Sequence, residues 1–205
     1  MPALYSQPSG KLYLSPAYPD LNRVIFWDDF LHYLYNTRLW TNSSLTAVTN
    51  QTGVGGRLLL HAHAAVTGFL TLGNAYFSSA KNMKIHVRCK MIPATAAGGA
   101  TRVGFGGSIL YWEYQPAASS YFRCVANYGG TVTTDSNVTG DGNDHVFSIE
   151  TVGETYALFS LDGVPKVTIT SNVTPLTTTP QLRCIGSAAG VSDINVDYVY
   201  AECDR

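Results

Sequence analysis

The sequence predicts an all-β domain, a sandwich or barrel, on three observations. From Val24 onward, short apolar runs are broken by Gly, Asn, Asp and Ser at intervals of about 8 to 15 residues. Within those runs apolar and polar residues alternate with the period of a strand, and the helical period is almost absent. At 205 residues the chain is also long enough to bury a full core as one domain without disulfides or metals.

Taken in order, residues 1–23 come first as an extended arm. Pro2, Pro8, Pro16 and Pro19 alternate with Tyr5, Tyr13 and Tyr18, a composition that disfavours helix and cannot build a core alone. Residues 24–205 form the domain. Its candidate strands are "VIFWDDF", "GRLLLHAHA", "GFLTLG", "MKIHVRCKMI", "TRVGFGG", "ILYWEYQ", "YFRCVANY", "HVFSIETV", "YALFSLDG", "KVTIT", "QLRCIGS" and "INVDYVYAE". "DDFLHYLYNTRLW" carries apolar residues on both spacings and is read as a strand end followed by loop. Phe147 and Ile149 share a face with His145, and Ala157, Phe159 and Leu161 share one in the following strand. Asp162-Gly163 then supplies a tight two-residue turn, so residues 144–170 read as a three-stranded meander. The preceding stretch "DSNVTGDGND" reads as its polar turn.

Composition narrows the function classes. Only 13% of residues are charged, against about 25% in an ordinary soluble domain, and 13 basic residues face 14 acidic ones with no cluster of Lys or Arg. That excludes an electrostatic footprint for nucleic acid or anionic lipid. No run reaches membrane-spanning length, and the first residues lack the pattern of a secretory signal, so the expectation is a chain made in the cytosol. The acceptor patterns at Asn42, Asn50, Asn137 and Asn172 are accordingly read as turn asparagines. Cys89, Cys124 and Cys184 lie in "VRCK", "FRCV" and "LRCI", where alternation sends Arg and Cys to opposite faces; the thiols read as buried small apolar groups. Cys203 is expected to be exposed near the end.

Three constellations invite a chemical reading. Asp135, Asn137, Thr139, Gly140 and Asp141 fall at positions one, three, five, six and seven of an EF-hand-like loop, but position twelve is Val146 rather than a bidentate Glu. Asp135, Asp141 and Asp144 remain weak calcium candidates, and no metal or other cofactor is expected. His61 and His63 in "HAH" share a strand face, a spacing for two metal ligands, yet no third ligand is nameable. Tyr111, Trp112, Tyr114 and Tyr121 gather around one hairpin, with Trp112 and Tyr114 on one face. Stacking against a sugar is a role open to that pair, with core filling the alternative.

The stretch "GDGNDHVFSIETVGETYALFSLDGVPKV", with "FWDDFLHYLYNTRLW" and "GGRLLLHA" before it and "INVDYVYAE" after it, resembles the concanavalin A-like lectin and glucanase superfamily over roughly residues 24–203. The resemblance implies a jelly-roll β-sandwich of two antiparallel sheets, with the closing strand beside the first. It also brings glycoside hydrolases into view. The laminarinase-like branch carries Glu-x-Asp-x-x-Glu or Glu-x-Asp-x-Glu on one strand, because the chemistry needs two carboxylates about 5 to 5.5 Å apart for retention. Here that strand holds Glu113 alone, and Glu150 and Glu154 lie at a hairpin. The expectation is therefore no catalytic residues and no enzymatic activity.

Resemblance and composition together give the leading expectation of a bacteriophage virion protein, a capsid decoration or tail component. The arm residues Tyr5, Leu12, Tyr13, Leu14 and Tyr18 would attach it to the major capsid protein, other virion proteins or copies of itself. A glycan-binding lectin is the alternative, and a hydrolase with an unusual carboxylate arrangement comes third.

Overall fold

Two antiparallel sheets stack face to face, as the alternation requires: each strand buries one row of side chains and turns the other outward. The computed structural model describes residues 23–30, 37, 39–51, 56–73, 77–78, 81–95, 98–106, 109–173 and 177–204. The arm residues Tyr5, Leu12, Tyr13, Leu14 and Tyr18 lie outside the described residues.

In chain order the strands are β1 (Arg23–Asp28), β2 (Trp40–Ser43), β3 (Ala47–Gln51), β4 (Arg57–Ala62), β5 (Thr67–Leu72), β6 (Phe77–Ser78), β7 (Met83–Ile92), β8 (Ala100–Phe105) and β9 (Leu110–Tyr114). They continue with β10 (Tyr121–Ala126), β11 (Val132–Thr139), β12 (Asp144–Val152), β13 (Tyr156–Leu161), β14 (Val164–Ile169), β15 (Thr177–Thr178), β16 (Pro180–Ile185) and β17 (Ser192–Asp204). One sheet has the order β14-β13-β12-β7-β17-β4-β3, and β1 also pairs with β17. The other runs β11-β10-β9-β8-β16-β5-β2. Among the described residues no helix occurs, and the result is the expected jelly-roll sandwich.

The core lies between the sheets. Phe26, Leu58, Leu60, Ile85, Val87, Phe147, Ile149 and Phe159 come from the first sheet; Trp40, Leu70, Leu72, Val103, Phe105, Trp112, Phe122 and Leu182 come from the second. Each contributes about 1.5–3 kcal/mol by leaving water. Polar ties cross the sandwich, among them Trp112 Nε1 donating to Ser148 O at 3.0 Å and Trp40 Nε1 donating to buried Asp28 at 2.7 Å. Both indoles thus bury their rings without orphaning their N–H groups.

The meander of β12, β13 and β14 forms as expected. Asp162 and Gly163 both have positive φ, 51° and 77°, which matches the right-handed twist of the strands they join. The stretch before it corrects the sequence reading. Residues 132–139 are not a turn but β11, the edge strand of the second sheet, and only residues 140–143 connect it to β12 across the sandwich. β11 escaped notice because its side chains are exposed or half-buried except Ser136, leaving no alternation to read. Cys203 corrects another expectation: it is buried, as are Cys89, Cys124 and Cys184.

Candidate active site on the seven-stranded sheet

The outer face of the second sheet carries a row of side chains that crosses every strand and is polar on all but one. Register aligns Asp135 (β11) with Arg123 (β10), Arg123 with Glu113 (β9), Glu113 with Arg102 (β8), and Arg102 with Arg183 (β16). The row ends at Phe69 (β5) and Ser43 (β2). Neighbouring strands lie about 4.8 Å apart, so the side chains of such a row are close enough to interact.

Alternation builds this row. Cys124, Cys184 and Val103 turn inward, so Arg123, Arg183 and Arg102 must turn outward. Trp112 likewise turns inward and sends Tyr111 and Glu113 out. Arg102 Nε donates to Glu113 Oε1 at 2.7 Å, and Arg123 Nη2 donates both to Glu113 Oε2 and to Gln115 Oε1, the latter at 2.7 Å. The guanidinium of Arg102 also lies 4.6 Å from the centre of the Tyr111 ring, a cation–π contact.

Depth orders the groups. The Glu113 side chain is only 4% exposed, whereas those of Arg102 and Arg123 are 20% and 16% exposed. The carboxylate is therefore the floor and the guanidiniums are the surface. Burial pushes the Tyr111 phenol above its ordinary pKa, and the nearby Arg102 cation only partly offsets this, so Tyr111 keeps its proton at neutral pH. Burial and then the like charge of Arg102 lower the pKa of Arg183, so its cation is less well stabilised than in water.

The residues singled out from the sequence fall elsewhere. Trp112 is fully buried between Phe147 and Phe159 and cannot stack against a sugar. Tyr114 packs edge-on against Phe122 and donates to Gly140 O, so it too faces the interior. Asp144 has both oxygens on Arg57, Asp141 binds Asn143 and His145, and Asp135 belongs to the opposite sheet. The calcium candidates therefore do not converge, and among the described residues no three His, Cys, Asp or Glu side chains form a metal-binding group. His61 binds Asp193 at 2.6 Å, with the His63 ring against it.

A carboxylate pair for hydrolysis is not assembled at Glu113. Tyr111, Glu113 and Gln115 occupy the alternate positions where Glu-x-Asp-x-Glu would place acids. Glu150 pairs with Lys84 on β7, in the other sheet. Both oxygens of Glu113 are occupied by guanidiniums, so it neither attacks nor activates water in this arrangement. What the row offers is positive surface with a protonated phenol beside it. The sequence missed Arg102, Arg123 and Arg183 as a group, although the Arg-Cys alternation already placed Arg123 and Arg183 opposite buried thiols.

No family profile matches this sequence, and no curated protein matches it either. Solved structures match its fold. A family 16 glycoside hydrolase from the mixed-linkage glucan locus of Bacteroides ovatus, in complex with an oligosaccharide product, is 17% identical with a TM-score of 0.62, over 85% of this chain and 98% of that one. A prokaryotic β-1,3-1,4-glucanase from a mouse hindgut metagenome is 11% identical with a TM-score of 0.65, over 86% of this chain and 98% of that one. An alginate lyase of polysaccharide lyase family 7 is 10% identical with a TM-score of 0.58, over 76% and 82%.

These likenesses correct two expectations. The virion decoration role finds no counterpart among them, and the expectation of a chain without enzymatic activity is overturned by neighbours that are mainly carbohydrate-cleaving enzymes. At such identities the likeness establishes the fold alone: this chain is a jelly-roll β-sandwich, as those enzymes are.

Proposed function

We propose that this protein acts on an acidic polysaccharide, held across the outer face of the seven-stranded sheet with its carboxylates on Arg102, Arg123 and Arg183. The row itself carries the reading: Arg102 and Arg123 flank one buried glutamate in register, and Arg183 stands next to Arg102 on the following strand. Guanidinium is the group best shaped to take a carboxylate through two parallel hydrogen bonds. A sugar carboxylate arriving near Arg102 and Arg183 would offset both the burial and, after it, the repulsion from Arg102 that lower the pKa of Arg183. The likeness to glycoside hydrolases and to an alginate lyase supports a polysaccharide as the substrate class.

The reaction these groups serve best is β-elimination. Neutralising a uronate carboxylate acidifies the adjacent C–H: its proton passes to a solvent hydroxide, the C–H electron pair forms the C=C bond, the C–O bond to the departing sugar breaks, and that oxygen takes the Tyr111 phenol proton, which water then restores. Two-carboxylate hydrolysis lacks its second acid at Glu113. The test is a panel of alginate, polygalacturonate, hyaluronan and mixed-linkage glucan. Products are followed by the ultraviolet absorbance of the unsaturated sugar and, in parallel, by reducing ends. Unsaturated product from a uronate polymer, lost in Arg102→Ala, is expected. Reducing ends from the neutral glucan without unsaturation would overturn the proposal.

A further inference from the structure

The opposite face of the sandwich carries an open depression of about 510 Å³ lined by Trp27, Lys84, His86, Ser148, Tyr198, Tyr200 and Glu202, among others. Trp40 and Trp112 are each at most 1% exposed, but Trp27 is 47% exposed. It lies on β1 next to the inward Phe26, so strand alternation obliges it to face solvent.

A bulge in β17 supplies its neighbours. The register with β7 shifts between Val196 and Tyr198, so Val196 and Val199 both point into the core while Tyr198 and Tyr200 point outward. Tyr198 stacks on Trp27 with ring centres 5.1 Å apart and planes 11° from parallel. Tyr200 meets the indole edge-on at 6.0 Å, and His86 packs against Tyr200. Polar groups border the rings: Lys84 pairs with Glu150, Tyr200 hydroxyl donates to Glu202, and His86 Nδ1 bonds Ser148 Oγ.

From this geometry we infer that the Trp27 depression is a second carbohydrate site, taking a neutral oligosaccharide on the outer face of the eight-stranded sheet. Flat apolar rings match the C–H face of a pyranose, and the bordering hydroxyl, carboxylate and ammonium groups match its hydroxyls. Its volume falls within the range of about 300–1,000 Å³ typical of small-ligand sites. The lining holds one Lys and one Glu, with Lys84 already paired, so it offers no excess positive charge to select an acidic sugar. His86 is kept neutral by burial and then by Lys84, in agreement with an uncharged ligand.

The experiment is calorimetric titration of the full chain with cellohexaose, laminarihexaose, mannohexaose and xylohexaose, with intrinsic Trp fluorescence recorded alongside. At least one hexasaccharide is expected to bind with a shift in Trp emission, at least tenfold more weakly to Trp27→Ala and Tyr198→Ala, and unchanged to Arg102→Ala. Circular dichroism melting establishes that each variant is folded, and Trp27→Phe is expected to retain part of the affinity. The inference is overturned if no hexasaccharide binds in a Trp27-dependent way, if Arg102→Ala abolishes the same binding, or if Trp27→Ala instead dissociates a dimer in sedimentation. Because the Arg102 row is on the other sheet, the two proposals fail independently.

Discussion

Glu113 shows how one residue can look catalytic in sequence and serve another purpose in the fold. It is the lone acid on its strand, and both oxygens are bound by arginines from the two flanking strands. Removing its charge leaves two guanidiniums facing one another over a dry floor, and breaking a buried pair in this way costs about 3 kcal/mol or more. Glu113→Gln is therefore expected to lower denaturant-unfolding stability by about 3 kcal/mol. A loss under about 0.5 kcal/mol would show the clamp to be incidental. Alternation correctly put Trp112 and Tyr114 on one face, but period two does not say which face is the core. The same pattern placed Arg123 and Arg183 opposite cysteines. Joining them to Arg102 required the strand order β10-β9-β8-β16, in which β16 comes from far along the chain.

At the scale of elements, the meander was the most legible part because a strong turn and two alternating strands agree. The edge strands β2, β3 and β11 were not read: β2 and β3 are only four and five residues long, and β11 buries Ser136 alone. His145 holds this region together. Its Nδ1 bonds Asp162 in the β13–β14 turn at 2.6 Å, and its Nε2 bonds Asp141 in the β11–β12 connection at 3.1 Å. Burial opposes its protonation, but the bonds to Asp162 and Asp141 outweigh that and raise its pKa. A raised histidine pKa stabilises the fold fully below its unfolded value of about 6.5, and that stabilisation disappears as pH climbs through the folded value. Asp141 works at the other end of the scale. The Asn143 backbone N–H holds it down most, burial opposes this, and the Asn143 side chain and His145 add to the lowering, leaving it at about 2, so its contribution is lost as pH falls through about 2. Unfolding midpoints measured between about pH 5 and pH 8 should decline relative to a His145→Gln variant as pH rises. Parallel profiles for the two proteins would contradict the clasp.

At the scale of the whole molecule, the fold was legible because a sandwich needs only strand spacing, alternation and turn chemistry. Function was less legible because each candidate face is assembled across a sheet. The row Asp135–Arg123–Glu113–Arg102–Arg183 draws on five strands, and the Trp27 depression draws on β1, β7, β12 and β17. The two outer faces carry opposite chemistry, one cationic and one aromatic. The central claim is that guanidiniums on the seven-stranded sheet recognise carboxylates. It is tested most directly by the affinity of the full chain for a uronate oligosaccharide across a salt series, compared with an Arg102→Ala, Arg123→Ala double variant whose fold is checked in parallel. Recognition by these cations predicts affinity that falls as salt rises, and a double variant at least tenfold weaker with a flatter salt dependence. Equal affinity and equal salt dependence in the two proteins would contradict it.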